Sequence, residues 1–229
     1  MFGFGGPKYY PAVIEIGTDY LKLLQFEKRK SVPVLARSYY SSRPYSDPPS
    51  KWDLRNSMER LVKESGITGE AAVLLSLDKI TSSTYLLPNM PDNEIESALV
   101  WKIKQNLAPG TGMENISYDY ICGNPVPGAG KDVYALVFIL AGKTALEIAG
   151  LFKDLSLELV CIEPRPYAVV KGLFASNRIT ERETVLVVDI GADTSSVTIV
   201  SYGHPYLIRP LTVSGKRFTA ALSSYYKIS

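Results

Sequence analysis

The chain has 229 residues, 46% of them apolar, which is enough to fill a domain-sized core and excludes a disordered chain. The net charge is +2 with Lys and Arg scattered along the sequence; the basic stripe of a nucleic-acid binder is missing, so no nucleic acid is expected as a partner. Cys122 and Cys161 fit no disulfide or ligand pattern, and no apolar run approaches the ~20 residues that span a bilayer, so the expected compartment is a reducing cytoplasm.

Residues 1–11 are Gly-rich with aromatic spots and are expected as a flexible tail. Residues 12–26 read as a β-hairpin and 32–39 as a third antiparallel strand, followed by a Pro/Ser-rich loop over 41–50. The spacing of Leu54, Met58, Leu61 and Val62 predicts a helix over 52–65, stopped by Gly66.

A unit inserted into this first lobe is expected over 71–162, reading strand (72–77), strand (82–87), helix (92–107), strand (116–122), strand (133–140), helix (144–155), strand (157–162). Two helices covering one small sheet is the natural solution for that order. Asp92 is placed as the N-cap of the first helix, with Ile95, Leu99, Lys102 and Ile103 at helical spacing; Ala145, Ile148, Ala149 and Phe152 stripe the second. Both stripes are assigned to packing. Residues 167–175 form a Pro-started helix that, with the link up to 182, returns to the first lobe. From 183 a second hairpin, a strand over 206–213, Ser214 as a cap and a helix from Lys216 begin a second lobe.

One short motif occurs twice. Val13-Ile14-Glu15-Ile16-Gly17-Thr18-Asp19 is written again as Val187-Val188-Asp189-Ile190-Gly191-Ala192-Asp193. In each copy a β-branched run ends in a carboxylate, a Gly and a small or polar residue before a second alternating strand. A Gly at the bend lets a ligand approach the backbone, turn N–H groups can form an anion-binding concavity, and the neighbouring carboxylate can hold a hydrated metal. Two such hairpins facing each other would clamp a triphosphate.

Other signals read as structural. Pro125-Val126-Pro127-Gly128-Ala129-Gly130-Lys131-Asp132 lacks the first Gly and the final Ser or Thr of a Walker loop and joins two strands, so it is read as a loop. His204 is the only histidine and lies on a predicted hairpin turn with no triad or metal partner in sight.

Glu15-Ile16-Gly17 with Lys22, Leu87-Pro88-Asn89-Met90 ahead of an acidic helix and Pro109, Val188-Asp189-Ile190-Gly191-Ala192, and Gly215 with Thr219 follow one another in a familiar order. From Ala12 onward the chain resembles the PilM family, the actin-like cytoplasmic proteins of type IV pilus assembly. The resemblance implies an α/β, actin-like (ribonuclease H-like) lobe (12–70 and 163–182), an inserted α+β subdomain (71–162) and the start of a second actin-like lobe (183–229). It implies ATP and Mg²⁺ in the cleft, with Gly17, Thr18, Asp19 and Lys22 at the first phosphate loop and Gly191, Ala192, Asp193 and Thr194 at the second. Glu15, Glu163 and Asp189 would order the metal and its water shell.

Three departures from the family bear on that site. Glu15 stands where Asp is usual and reaches about 1.5 Å further, Ser214-Gly215 replaces a Gly pair, and the sequence stops before a loop that would hold adenosine. ATP and Mg²⁺ are accordingly expected to bind weakly or not at all, leaving at most a weak ATPase and more naturally a nucleotide-responsive scaffold.

The partners implied are the cytoplasmic N-terminal peptide of an inner-membrane pilus assembly protein and other pilus platform proteins, with the chain peripheral to the inner membrane. The expected peptide site is a groove between the first lobe and the inserted subdomain, with strand addition at an edge of the inserted sheet. Two rivals share the fold. A sugar or acetate kinase relative would need a substrate-side general base, and none stands out. The cytoplasmic region of a type II secretion platform protein would have eroded phosphate loops, whereas Asp189 to Thr194 is intact.

Overall fold

A computed structural model describes residues 8–18, 20–29, 32–42, 51–123 and 132–228. Two compact units share the chain: Met1–Leu75 with Leu146–Glu163, and Ser76–Ala145 with Pro164–Ser229.

The first unit is built on a five-stranded sheet. It begins with β1 (Ala12–Ile16), β2 (Tyr20–Glu27) and β3 (Val34–Ser42), followed by α1 (Lys51–Ser65) and β4 (Gly69–Leu75), and is completed by α3 (Gly142–Asp154) and β8 (Leu157–Pro164). The strand order is β3-β2-β1-β4-β8. β1 pairs antiparallel with β2 and parallel with β4, Ile14 lying opposite Val73. Ile14, Leu21, Leu23 and Val73 are fully buried, as are Met58 and Leu61 on α1, which packs on β2 and β3. The amide of buried Gln25 is satisfied on both sides: it accepts from Arg37 Nη1 at 2.7 Å and donates to the Tyr10 carbonyl at 3.3 Å. Tyr10 N–H also donates to the Phe26 carbonyl, and Lys28 N–H to the Lys8 carbonyl. Residues 8–10 thus extend the sheet, where the sequence predicted tail; the rest of that tail and most of the 41–50 loop lie outside the described residues.

The second unit holds two three-stranded sheets. β5 (Ile80–Leu87), α2 (Asp92–Asn106), a 3-10 turn (Met113–Asn115), β6 (Ile116–Cys122) and β7 (Val133–Ala141) give the order β5-β7-β6. After α4 (Arg165–Ala175), β9 (Thr184–Ile190), β10 (Ser195–Ser201) and β11 (His204–Leu211) give β11-β10-β9, and α5 (Gly215–Tyr226) follows. α2 seals the first sheet through Ile95, Leu99 and Ile103 against Leu87, Ala135 and Val137. Val170 of α4 meets Val200, Val185 and Val187 of the second. The opposite side of β9 leaves Leu186, Val188 and Ile190 exposed, as are Phe218, Leu222 and Tyr225 on α5.

Hydroxyl groups join the two sheets. Ser82 Oγ donates to the Ile208 carbonyl and Thr84 Oγ1 to the Tyr206 carbonyl, each at 2.9 Å, while Arg209 Nη1 donates to the Ser82 carbonyl at 3.0 Å. Tyr134 meets Tyr206 edge to face, with centroids 4.4 Å apart.

The structure draws the unit boundaries differently from the sequence reading. The strands predicted over 72–77 and 157–162, assigned there to the inserted unit, are β4 and β8 of the β1 sheet. Hydropathy marks a strand but not its partner; the one local sign is that β4 has no polar face, the mark of a strand covered on both sides. α4 and the second hairpin pack in one unit with β5, α2, β6 and β7. Asp92 is the first helical residue of α2, Pro91 takes the cap position, and no side chain caps it. On α3 the buried face is Ile148, Leu151 and Phe152, with Ala149 exposed. Ser214 does cap α5, accepting from Arg217 N–H. Tyr202 and Gly203, both at positive φ, make the tight two-residue turn ahead of His204, as a primed hairpin turn requires.

Candidate functional site

The two predicted phosphate hairpins are formed, one in each unit. At the first, Gly17 N–H donates to the Tyr20 carbonyl at 3.0 Å and closes the bend; Thr18 lies in it, and Asp19 lies outside the described residues. Glu15 and Lys22 are direct cross-strand partners, and Lys22 Nζ lies 3.5 Å from Glu15 Oε2. Tyr20 hydroxyl donates to Glu15 Oε1 at 3.3 Å, and Lys22 Nζ also sits 4.3 Å from the Tyr20 ring centroid. The Tyr20 ring itself covers Gly17: a Cβ built there would stand 2.8 Å from Tyr20 Cε2. The bare face of this glycine is filled by the chain's own aromatic ring.

At the second hairpin, loop 191–194 joins β9 to β10. Arg165, the first residue of α4, is buried, and its Nε lies 2.9 Å from Asp189 Oδ2. Its Nη2 donates to the Thr194 carbonyl at 3.3 Å. A Cβ on Gly191 would collide with the Thr194 carbonyl oxygen and come within 3.3 Å of Arg165 Nη2. Gly215 N–H donates to the Gly191 carbonyl and Lys216 N–H to the Ala192 carbonyl, each at 2.9 Å, and Lys216 Nζ reaches Asp193 Oδ2 at 2.8 Å. The first N–H groups of α5, which could otherwise meet an anion, are thus spent on the loop's own carbonyls.

The structure brings together Glu15, Gly17 and Lys22 in one hairpin and Asp189, Gly191, Ala192, Asp193 and Thr194 in the other. Glu163 stands near the end of β8, just ahead of α4. Tyr20, Arg165 and Lys216 were not singled out beforehand. Arg165 gives a sign only once the helix start is seen in the structure: a cation at a helix N-terminus is opposed by the helix dipole, so an arginine opening a helix between Pro164 and Pro166 needs a counter-charge.

The second-hairpin residues do not fit a divalent ion. Mg²⁺ asks for near-octahedral oxygen ligands at about 2.0–2.1 Å, and a guanidinium nitrogen already stands 2.9 Å from Asp189 Oδ2. A second cation on that oxygen would lie a few ångström from the first and repel it strongly in a half-buried setting. Among the described residues, no group of three or more His, Cys, Asp or Glu side chains is placed to hold a metal ion. No helix among them is long and apolar enough to cross a membrane.

No family model matches the chain. No curated protein matches it either. Solved structures do. A chain of the PilM-PilN type IV pilus biogenesis complex aligns with a TM-score of 0.79 and 22% identity, over 97% of this chain and 67% of that one. The cytoplasmic domain of EpsL, an inner-membrane component of the type II secretion system of Vibrio cholerae, aligns at 0.56 and 9% identity, over 93% and 74% of the two chains. A Bacteroides thetaiotaomicron protein described as having an actin-like ATPase fold aligns at 0.51 and 9% identity, over 97% and 78%. The chain is an α/β protein of actin-like fold, similar over nearly its whole length to a chain of the PilM-PilN complex.

Proposed function

We propose that this chain is a cytoplasmic scaffold of a type IV pilus assembly platform, peripheral to the inner membrane, that binds the N-terminal tail of an inner-membrane pilus protein. The observation that carries this reading is the TM-score of 0.79 over 97% of the chain to a complex named for PilM and PilN. Support for the mode of binding comes from β6. Among the described residues it stands at the edge of the β5-β7-β6 sheet, with β7 on one side only. An edge strand offers backbone donors and acceptors to an added strand, and alternate side chains of the incoming tail then set specificity.

Nucleotide has a minor part in this reading. The carboxylates beside both bends are already paired within the chain, Glu15 with Lys22 and Asp189 with Arg165. Mg-ATP is expected to bind with a dissociation constant weaker than about 1 μM, equivalent to about −8.2 kcal/mol, and calorimetry reads this directly.

The test of the scaffold is fluorescence anisotropy with a labelled tail peptide. Micromolar binding is expected with and without Mg-ATP, and N-methylation of alternate backbone amides in the peptide should weaken it at least about tenfold, or 1.4 kcal/mol. Binding seen only with nucleotide overturns the reading, and binding indifferent to N-methylation overturns strand addition. The likeness to the EpsL domain favours a second reading, a type II secretion platform component. A parallel titration with tails from that system separates the two.

A further inference from the structure

We infer that Arg165 is the resident counter-ion of the second hairpin: its guanidinium takes the place beside Asp189 that the resemblance assigns to a divalent metal, and it holds loop 191–194 in its bent form with no metal.

Four observations, all within one compact unit, carry the inference. Arg165 spans the loop from foot to foot, with Nε at 2.9 Å from Asp189 Oδ2 before the bend and Nη2 at 3.3 Å from the Thr194 carbonyl after it. The Nε–Oδ2 approach is a charge contact outside hydrogen-bond geometry, whereas Nη2 makes a directional bond to the Thr194 carbonyl. Gly191 lies beneath the guanidinium, and a side chain there would meet both Nη atoms at 3.3–3.5 Å. The side chain of Arg165 is about nine-tenths covered and that of Asp189 about three-quarters, so neither charge is left to bulk water. Ser196, the register partner of Asp189 on β10, is also buried. Finally, Arg165 opens α4, where the helix dipole works against a cation. The residue is placed against that bias, which Asp189 offsets.

Arg165 is therefore a positioning residue. What an ion would do by drawing oxygens together, the side chain does from within the fold. The first hairpin shows the same principle by other means, with Lys22 on Glu15 and the Tyr20 ring over Gly17.

The test compares the full chain with Arg165→Gln, Arg165→Lys, Asp189→Asn and the double variant Arg165→Gln/Asp189→Asn, by thermal unfolding in EDTA or Mg²⁺ and by Mn²⁺ paramagnetic resonance. Wild-type protein is expected to melt at the same temperature in EDTA and Mg²⁺ and to leave Mn²⁺ free. Arg165→Gln should lower the midpoint by about 4–8 °C, Arg165→Lys should recover part of that loss, and the double variant should fall less than the sum of its single changes. A wild-type midpoint that drops in EDTA, Mn²⁺ binding abolished by Asp189→Asn, or strictly additive variants overturn the inference. Should Arg165→Gln fail to fold, the wild-type metal measurements still decide.

Discussion

Lys22 faces Glu15 across the first hairpin as its register partner, 3.5 Å away, yet its side chain is 46% exposed where that of Arg165 in the second hairpin is 10% exposed. Exposed pairs contribute about 0–1 kcal/mol, whereas removing one partner of a covered pair costs about 3–5 kcal/mol. Lys22→Met should therefore lower stability by about 1 kcal/mol, since the Lys22 head reaches water and Tyr20 hydroxyl still donates to the largely covered Glu15, and Arg165→Met by about 2–3 kcal/mol. Urea unfolding of the two variants checks the ordering.

The two bend glycines should respond differently to alanine. At Gly191 the obstacle is the Thr194 backbone carbonyl, which cannot step aside, and overpacking of this kind costs about 1–3 kcal/mol. At Gly17 the obstacle is the far end of the Tyr20 ring, which can swing outward. Gly17→Ala should cost under about 1 kcal/mol because the stiffer unfolded chain offsets part of the strain, and Tyr20→Leu in the same chain should relieve the rest. Thermal midpoints of the three variants settle the comparison.

Core burial gives a simpler contrast. Leu99 on α2 is fully buried between Leu87 and Val137, so Leu99→Ala should cost about 2–5 kcal/mol. Leu146 on α3 is 76% exposed, and Leu146→Ala should stay within about 0.5 kcal/mol of the parent. An unchanged urea m-value with a shifted midpoint for Leu99→Ala is the expected signature.

The two cysteines should separate by pH. Burial pushes the Cys122 thiol up, with a smaller push from the Asp92 carboxylate, while Cys161 is exposed. A raised thiol holds its proton to higher pH, so less of the reactive thiolate is present near neutrality. Iodoacetamide at pH 8 should modify Cys161 first, and the Cys122 rate should climb at pH values above those of an ordinary thiol. Mass spectrometry of the modified peptides reads both rates.

The elements themselves were legible because each depends on its own residues. Ile95, Leu99 and Ile103 recur at helical spacing and are buried together, Ser214 caps α5, and Tyr202-Gly203 turns the chain between β10 and β11. Partnership was not legible. Beyond β4 having no polar face, the runs that became β4 and β8 carry nothing local to say that their neighbour is β1 and not β5, since strand pairing is settled by long-range packing.

The candidate site divides in the same way. The bends, glycines and carboxylates could be read from the repeated motif, but the groups filling them came from elsewhere. Tyr20 lies just past its bend and reads as an ordinary strand aromatic, and Arg165 comes from a helix start well before the second hairpin. The sequence reading starts that helix at residue 167, so the awkward position of an arginine opening it became visible only in the structure.

The hydroxyl seam between β5 and β11 sets a timetable for synthesis. Ser82 and Ile208 are 126 residues apart, and Thr84 and Tyr206 are 122 apart. At about 5–20 residues per second, β5 waits on the order of 6–25 s after its own synthesis before its partner carbonyls exist. During that interval α2, β6 and β7 can pack around β5 by themselves, but Ser82 and Thr84 must remain bonded to water. The seam can form only once β11 is made, and a ribosome stalled before β11 holds a nascent chain whose second unit lacks its last strand and α5.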